Sequence, residues 1–237
     1  MKDTPEQKLD KAFEALKTYD WGQERKLVQP IEQAIIDADD DIAQRREIEA
    51  RLAAVLESDA PYDAKQYACR RLRVVGTAAS VPALAPLLTD KKLSHMARFA
   101  LERMPEGQAG DALREALGKV DGQLKIGVIS SLATRGESAS VAPLAKLLKS
   151  DDAAVAQSAA QALGVIGSAD AAKALSDGVT DKNKSAVADA LLVCAEQALA
   201  DGKKAEALVI YKGLAKDDQP KHVRLAATRG MLACAGK

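Results

Sequence analysis

The residues best suited to binding chemistry are arginines near the middle of the chain. A guanidinium group is a planar fork of N–H donors that matches a carboxylate, and an aromatic side chain beside it adds rigid apolar area. This combination predicts a surface that binds an acidic peptide or protein segment. The alternative is a solvated face whose arginines pair within the chain. The candidate binding residues are Arg70, Arg73, His95, Arg98, Phe99, Glu102 and Ile126.

Residue types that carry out catalysis or hold metals are sparse. The two histidines, His95 and His222, lie far apart, and the chain has no HExxH motif, Cys/His cluster or Gly-rich phosphate loop. The segment GESASVAP at 136–143 lacks the G-x-S-x-G pattern of a nucleophilic serine. We therefore expect no catalytic residues, no metal site and no cofactor.

The charge of the chain is unevenly distributed. Lys/Arg and Asp/Glu balance at 34 each, so no overall field attracts nucleic acid or an anionic membrane. Residues 1–60 carry nine basic and fifteen acidic side chains, a net of −6, whereas residues 61–135 carry twelve and seven, a net of +5. Binding of nucleic acid through 61–135 is therefore an alternative function, although the absence of net charge on the chain argues against a nucleic-acid partner.

A repeated helical pattern must position the candidate residues. Leucine or methionine recurs at Leu72, Leu101, Leu132, Leu163, Leu192 and Met231, with a mostly small apolar residue four positions before each. Apolar residues at i, i+4 and i+7 form one face of a helix. Gly76, Gly136 and Gly167 follow three of these helices, where a left-handed C-cap favours glycine.

A second helix precedes each of these helices. SVPALAPLLTD at 80–90 and SVAPLAKLLKS at 140–150 are nearly the same segment. A pair of this kind is too small to bury its own apolar face, so stacked pairs form one continuous core. The predicted fold is all-α, a right-handed α–α superhelix of about 12–14 helices in antiparallel pairs. We expect one elongated domain over 1–237, with N-terminal capping helices at 1–46, repeats at 47–183 and a distinct end at 184–237.

The repeat resembles HEAT repeats. The likeness covers about 47–195 and is strongest at 140–167, where L-x-x-L-L-x-x-D precedes A-x-x-A-L-G-x-I-G. These short units are similar to the bacterial HEAT units found in phycobilin lyases. The resemblance implies that the second helices line a concave face, where positions equivalent to Gln157, Ala160, Gln161 and Gly164 face away from the core. It places the seven candidate residues on that face.

The two ends of the chain depart from the repeat. Residues 184–220 resemble a tetratricopeptide hairpin, with Gly202, Ala207 and Tyr211 at that motif's spacing. Near the N-terminus, Thr4-Pro5 predicts a helix start, and Trp21 is expected to anchor the first hairpin, with a ligand platform as the alternative. Bacterial helical-repeat proteins with such a C-terminal hairpin are often exported or associated with the envelope.

These observations predict a non-catalytic scaffold that binds a protein or peptide segment on its concave face, with an acidic segment as the favoured ligand. A lyase-like HEAT protein that binds a chromophore or another small cofactor is an alternative. No apolar run approaches the ~18 residues of a membrane span, so we expect a soluble monomer. The sequence alone indicates the cytoplasm, or the periplasm or envelope if a signal peptide has been removed.

Overall fold

The computed structural model describes residues 3–105 and 107–236. Within them the chain forms fourteen α-helices, four short 3-10 helices and no strand. No helix among these residues is both long enough and apolar enough to cross a membrane. The chain forms two compact units, residues 1–119 and 120–237, so the expectation of one domain stays a prediction.

The first unit contains seven α-helices, and its third and fourth helices form an antiparallel pair. The fifth helix is short and lies between two 3-10 helices, and another 3-10 helix precedes the second helix. The helices are α1 (Pro5–Leu16), α2 (Gln29–Asp37), α3 (Ile42–Glu57), α4 (Tyr62–Val75), α5 (Val81–Leu84), α6 (Ser94–Leu101) and α7 (Gly107–Ala116).

The predicted role of Trp21 as an anchor is wrong. Its side chain is 91% exposed, in the turn that follows α1. Phe13 and Leu16 instead bury the apolar face of α1, and the Arg51 guanidinium of α3 lies 4.0 Å above the Phe13 ring. The tyrosine at 19, not the tryptophan, contacts the neighbouring helices through a tilted ring contact with Tyr67.

The near-identical segments at 80–90 and 140–150 differ in structure because of one proline. The first contains Pro82 and Pro86, and its α-helix is limited to Val81–Leu84 before a 3-10 helix continues to Thr89. The second has Pro143 near its start and continues as an α-helix from Val141 to Leu147. Proline fits the first turn of a helix but removes a hydrogen bond from its interior, which explains the difference.

The second unit also contains seven α-helices. Connections of two to six residues join successive helices, so that neighbours are antiparallel. The helices are α8 (Gly122–Arg135), α9 (Val141–Leu147), α10 (Ala153–Ile166), α11 (Ala169–Asp177), α12 (Lys184–Ala200), α13 (Lys204–Leu214) and α14 (Lys221–Cys234).

The repeated leucine column forms the core of both units. Leu72, Leu101, Leu132 and Leu163 are fully buried, as the repeat predicts. In α12 the register shifts by one residue, so that Leu191 is buried and its neighbour at 192 is only half-buried. The all-α, HEAT-like helical-repeat fold is confirmed.

The predicted glycine caps are correct at two of three helix ends. Gly136 and Gly167 end α8 and α10 in the left-handed conformation, with φ of 66° and 63°. Gly76 has φ −68°, so its predicted left-handed cap is wrong. A Cβ at position 76 would lie 2.3 Å from Met104 Cε and 2.4 Å from the Leu72 carbonyl oxygen. Close packing, not backbone conformation, therefore explains this glycine.

The hairpin expected over 184–220 is present as α12 and α13. Its turn contains Gly202 at φ 79°, and Ala207 and Tyr211 of α13 are buried. The Tyr211 ring packs against α14 at Gly230, where a Cβ would clash with three atoms of the ring. This contact packs the last helix onto the hairpin.

Candidate interaction surface

Six of the seven candidate residues lie on two helices that pack together in the first unit. Arg70 and Arg73 belong to α4, and the others belong to α6 or its C-cap. Arg70 and His95 are exposed. The structure therefore places two cationic or titratable side chains in solvent, one on each helix.

Arg73 and Phe99 form a direct contact between α4 and α6. The guanidinium carbon of Arg73 lies 3.8 Å from the centroid of the Phe99 ring. Its Nη1 donates a hydrogen bond of 3.1 Å to the Phe99 carbonyl oxygen. Among the described residues this is the only hydrogen bond of that guanidinium, which has five N–H donors in all. Stacking and one hydrogen bond thus fix the orientation of a group that keeps binding capacity.

Arg98 and Glu102 lie one helical turn apart on the same surface. Both side chains are half-buried. Burial lowers the pKa of the Arg98 guanidinium, and the negative charge of Glu102 opposes that shift. The arginine remains charged at neutral pH because an ordinary guanidinium pKa is far higher. Glu102 therefore compensates part of the positive charge of this surface.

The expectation that all four selected columns face away from the core is wrong for two of them. At the position of Ala160, Cys69 and Ile129 are fully buried, as is Ala160 itself. At the position of Gly164, both that glycine and Ala133 are buried. These columns face the neighbouring helix pair, where successive second helices pack together. Arg73 and Arg98 are half-buried for this reason, since they occupy the same columns.

Ile126 lies apart from the other candidates in sequence and in fold. It is a partly buried residue of α8, in the second unit. The other six candidates belong to the first unit. Its place in a common binding face stays a prediction.

The cysteines and histidines of the described residues do not form a reactive or metal-binding cluster. No group of three or more His, Cys, Asp or Glu side chains there is arranged to hold a metal ion. Burial raises the pKa of the Cys69 thiol to about 12 and that of Cys194 to about 11. Both thiols are therefore protonated at neutral pH and act as small apolar core groups.

Sequence reasoning missed an apolar groove in the second unit. Its volume is about 630 Å³, and α11, α12 and α13 each contribute one face to it. Val179 and Val209 line it while remaining 45% and 71% exposed. The sequence does contain a signal for this groove. Along α13, residues at i, i+3, i+4 and i+7 form a face that packing against neighbouring repeats does not require. The residues of that face are Glu206, Val209, Ile210, Gly213 and Leu214.

A buried asparagine, also missed, orders the loop between α11 and α12. Asn183 is 4% exposed, and its amide donates hydrogen bonds of 2.8 and 3.0 Å to the carbonyl oxygens of Leu148 and Gly178. Its side-chain oxygen accepts a 2.7 Å hydrogen bond from the Thr180 backbone N–H. These three bonds tie the loop between α11 and α12 to the end of α9.

Comparisons with known proteins agree with the repeat pattern. Residues 110–200 match the family model described as HEAT repeats. None of the curated proteins compared with the chain matches it.

Among solved structures, the complex of CpcE and CpcF of phycocyanin lyase from Nostoc sp. PCC7120 is 19% identical, with a TM-score of 0.46 over 99% of this chain and 96% of that one. A designed armadillo repeat protein in complex with the peptide (KR)4 is 15% identical, with a TM-score of 0.38 over 98% of this chain and 99% of that one. The matched region, residues 110–200, therefore carries HEAT repeats.

Proposed function

We propose that this protein is a non-catalytic scaffold that binds an acidic peptide or protein segment on the surface formed by α4 and α6. HEAT-type repeat folds commonly serve as scaffolds for protein partners and are typically non-catalytic, because stacked helices present broad surfaces. The proposed contact residues are Arg70, Arg73, His95, Arg98, Phe99 and Glu102. Ile126 extends the proposed surface only if the two units present a common face.

The orientation of Arg73 carries the proposal. An arginine that is stacked on an aromatic ring has already lost much of its side-chain freedom. The 3.8 Å stacking on Phe99 and the 3.1 Å hydrogen bond to its carbonyl oxygen hold the group in place before a ligand arrives. Its remaining N–H donors suit a carboxylate, which a planar guanidinium binds in a bidentate manner.

The surrounding charges support an acidic ligand of limited size. Arg70 is exposed and free to approach a second carboxylate, and Lys91 and Lys92 are exposed just before α6. Glu102 reduces the positive charge beside Arg98. A surface with this mixture favours a segment that has a few spaced acidic residues over a uniformly charged polyanion, because the polyanion would also meet Glu102.

The proposal is tested with a fluorescein-labelled peptide in which glutamates are spaced by alanines. Fluorescence anisotropy measures its affinity for the wild-type protein, for Arg70→Glu and for Arg73→Lys. We expect Arg70→Glu to weaken binding about tenfold, since it replaces an attractive charge by a repulsive one. Arg73→Lys keeps the charge but loses the planar fork, so it should weaken binding severalfold.

Arg229→Glu is the matched control. Arg229 is an exposed arginine at the same repeat position as Arg70, but in α14, and its replacement changes the net charge equally. Its affinity for the peptide should match that of the wild type. Equal losses in Arg70→Glu and Arg229→Glu would show that only overall charge matters. Tighter binding of a single-stranded oligonucleotide of the same charge, with a steep salt dependence, would instead favour nucleic acid.

A further inference from the structure

The groove between α11 and α13 arises where the regular repeat changes into the C-terminal hairpin. In the second unit α11 packs on α9 and on α12, and α13 packs on α12 and α14. Within the described residues, no comparable packing joins α11 to α13. The two helices therefore form the walls of a groove whose floor is α12.

The walls and floor of this groove are apolar faces of helices. Ala169, Ala172 and Ser176 follow one another along α11 at helical spacing, while Leu191 and Cys194 contribute to the floor from α12. The wall formed by α11 spans the eight residues from Ala169 to Ser176, so its first and last Cα atoms lie about 11 Å apart, or two helical turns. A groove of this form matches the apolar face of a short amphipathic helix.

Gly213 provides an independent indication of what fills the groove. It lies in α13, lines the groove, and a Cβ at this position would have no atom within 4 Å. Glycine destabilises a helix by up to about 1 kcal/mol relative to alanine, and packing within this chain does not require it here. A missing side chain on an open helix face allows another backbone to approach closely.

The charges at the rim give the ligand a polarity. Glu206 lies in the first turn of α13, and Lys216 lies just beyond its C-terminal end. Lys173 lines the wall formed by α11. The side-chain oxygen of Gln219, at the same end as Lys216, is buried without a hydrogen-bond partner among the described residues. One end of the groove thus suits acidic groups and hydrogen-bond donors, and the other suits a basic group.

We propose that this groove binds an amphipathic α-helix of a partner protein, with small apolar residues facing α12 and at least one acidic residue near Lys216. The helix packs closely against Gly213 and covers Val209 and Val179. This surface is separate from the α4–α6 surface, and the proposal does not depend on it.

The test is a selection from a phage-displayed library of sixteen-residue peptides on the folded full-length protein. The library combines helix-forming positions with varied Asp, Glu, Lys, Ala and Leu. We expect enrichment of peptides with apolar residues at i, i+3, i+4 and i+7 and an acidic residue at one end. The fluorescein-labelled consensus peptide, synthesised alone, should gain helical circular dichroism when it binds.

Variants of the groove then locate the binding site of that peptide. Val209→Glu and Gly213→Leu change exposed positions, so both proteins should remain folded while their affinity falls at least tenfold. Leu225→Glu is the matched control, because Leu225 is a 62% exposed apolar residue of α14 outside the groove. Its affinity, and that of Arg70→Glu, should stay within twofold of the wild type.

Three results would overturn the proposal. The first is a selection without enrichment of amphipathic patterns, and the second is a consensus peptide whose affinity is the same in Val209→Glu and Gly213→Leu as in the wild type. The third is displacement of the peptide by dodecanoate bound in the groove, which would assign it to small apolar ligands. Loss of binding to the acidic probe at α4–α6 would leave all three results unaffected, so failure of one proposal is distinguishable from failure of the other.

Discussion

The same pair of repeat positions is in contact in both units of the molecule, but the residue types at these positions differ. In the first unit they are Arg73 of α4 and Phe99 of α6, which form a stacked and hydrogen-bonded pair. In the second unit they are Gly164 of α10 and Ala190 of α12, where a Cβ on the glycine would lie 3.1 Å from the alanine Cα and Cβ and 3.2 Å from its carbonyl oxygen. A repeat therefore fixes which positions meet, while the residue types decide whether the helices touch directly or through side chains.

The two contacts differ in what they provide. The contact in the second unit provides close packing, whereas the contact in the first unit leaves groups that can bind a ligand. At the direct contact of α10 with α12, the Cys194 thiol donates weak hydrogen bonds to the carbonyl oxygens of Leu163 and Gly164. In the first unit, long side chains fill the contact and leave guanidinium donors near solvent. We expect the contact in the second unit to be sensitive to added volume and the contact in the first unit to tolerate it better.

The largest expected effect is that of Gly164→Leu. Its side chain would meet backbone atoms of α12, which cannot move aside as a flexible side chain can. Overpacking of this kind typically destabilises by 1–3 kcal/mol, and we expect a decrease of about 3 kcal/mol in the free energy of unfolding. Chemical denaturation followed by circular dichroism measures it.

Gly213→Ala is the control for the loss of a helical glycine. The added Cβ meets no atom within 4 Å, so the variant should gain about 0.5–1 kcal/mol from helix propensity alone. A similar gain in Gly164→Leu would show that α10 and α12 do not pack as closely as described.

A smaller effect is expected when the Arg73–Phe99 pair is removed. A cation–π contact contributes about 0.5–2 kcal/mol and a hydrogen bond about 0.5–1.5 kcal/mol, but Arg73 is only half-buried. We expect Arg73→Ala to lower the free energy of unfolding by about 1–1.5 kcal/mol. Phe99→Leu, which keeps the carbonyl acceptor, should lower it by about 1 kcal/mol.

The double variant completes this measurement. If the stacking contact is real, Arg73→Ala and Phe99→Leu together should destabilise less than the sum of the single changes, by about 0.5–1 kcal/mol. Strict additivity would mean that the two side chains act independently, and would remove the main support for a preorganised binding group.

The equivalence of these contacts could be predicted from the sequence, but their chemistry could not. Aligning the leucine column correctly identifies four buried leucines and the positions beside them, because helical periodicity depends only on residue order. The burial of Arg73 depends on how closely α4 approaches α6, which periodicity does not determine. The predicted solvent-facing columns were wrong for this reason, since Cys69 and Ile129 lie between helix pairs.

Local signals succeeded where the cause was local. Thr4 caps α1 through a reciprocal capping box with Gln7, and Gly136 adopts the left-handed cap. Gly76 and Trp21 were misassigned because their roles depend on neighbours distant in sequence. The apolar groove was missed on the same grounds: the spacing along α13 indicates an apolar face, but whether α11 packs on that face depends on the tertiary structure.

The smallest expected difference between the two units concerns their buried thiols. With pKa values raised to about 12 for Cys69 and about 11 for Cys194, the thiolate fractions at pH 8 are about one in ten thousand and one in a thousand. Ellman's reagent should therefore label neither in the folded protein and should react with the half-buried Cys234 alone. All three cysteines should react in denaturant.

Raising the pH should reveal the same burial as a loss of stability. Both thiols have folded pKa values above the ordinary value of 9.0, so the unfolded chain releases these protons first and the folded state loses stability as the pH rises above about 9. Cys194→Ala should reduce this alkaline decrease in the melting temperature.

In Gly164→Leu, labelling of Cys194 should become measurable while that of Cys69 stays negligible, because only the contact between α10 and α12 is loosened. Equal exposure of both thiols would mean that the added volume unfolds the whole chain, and that the two contacts are not independent.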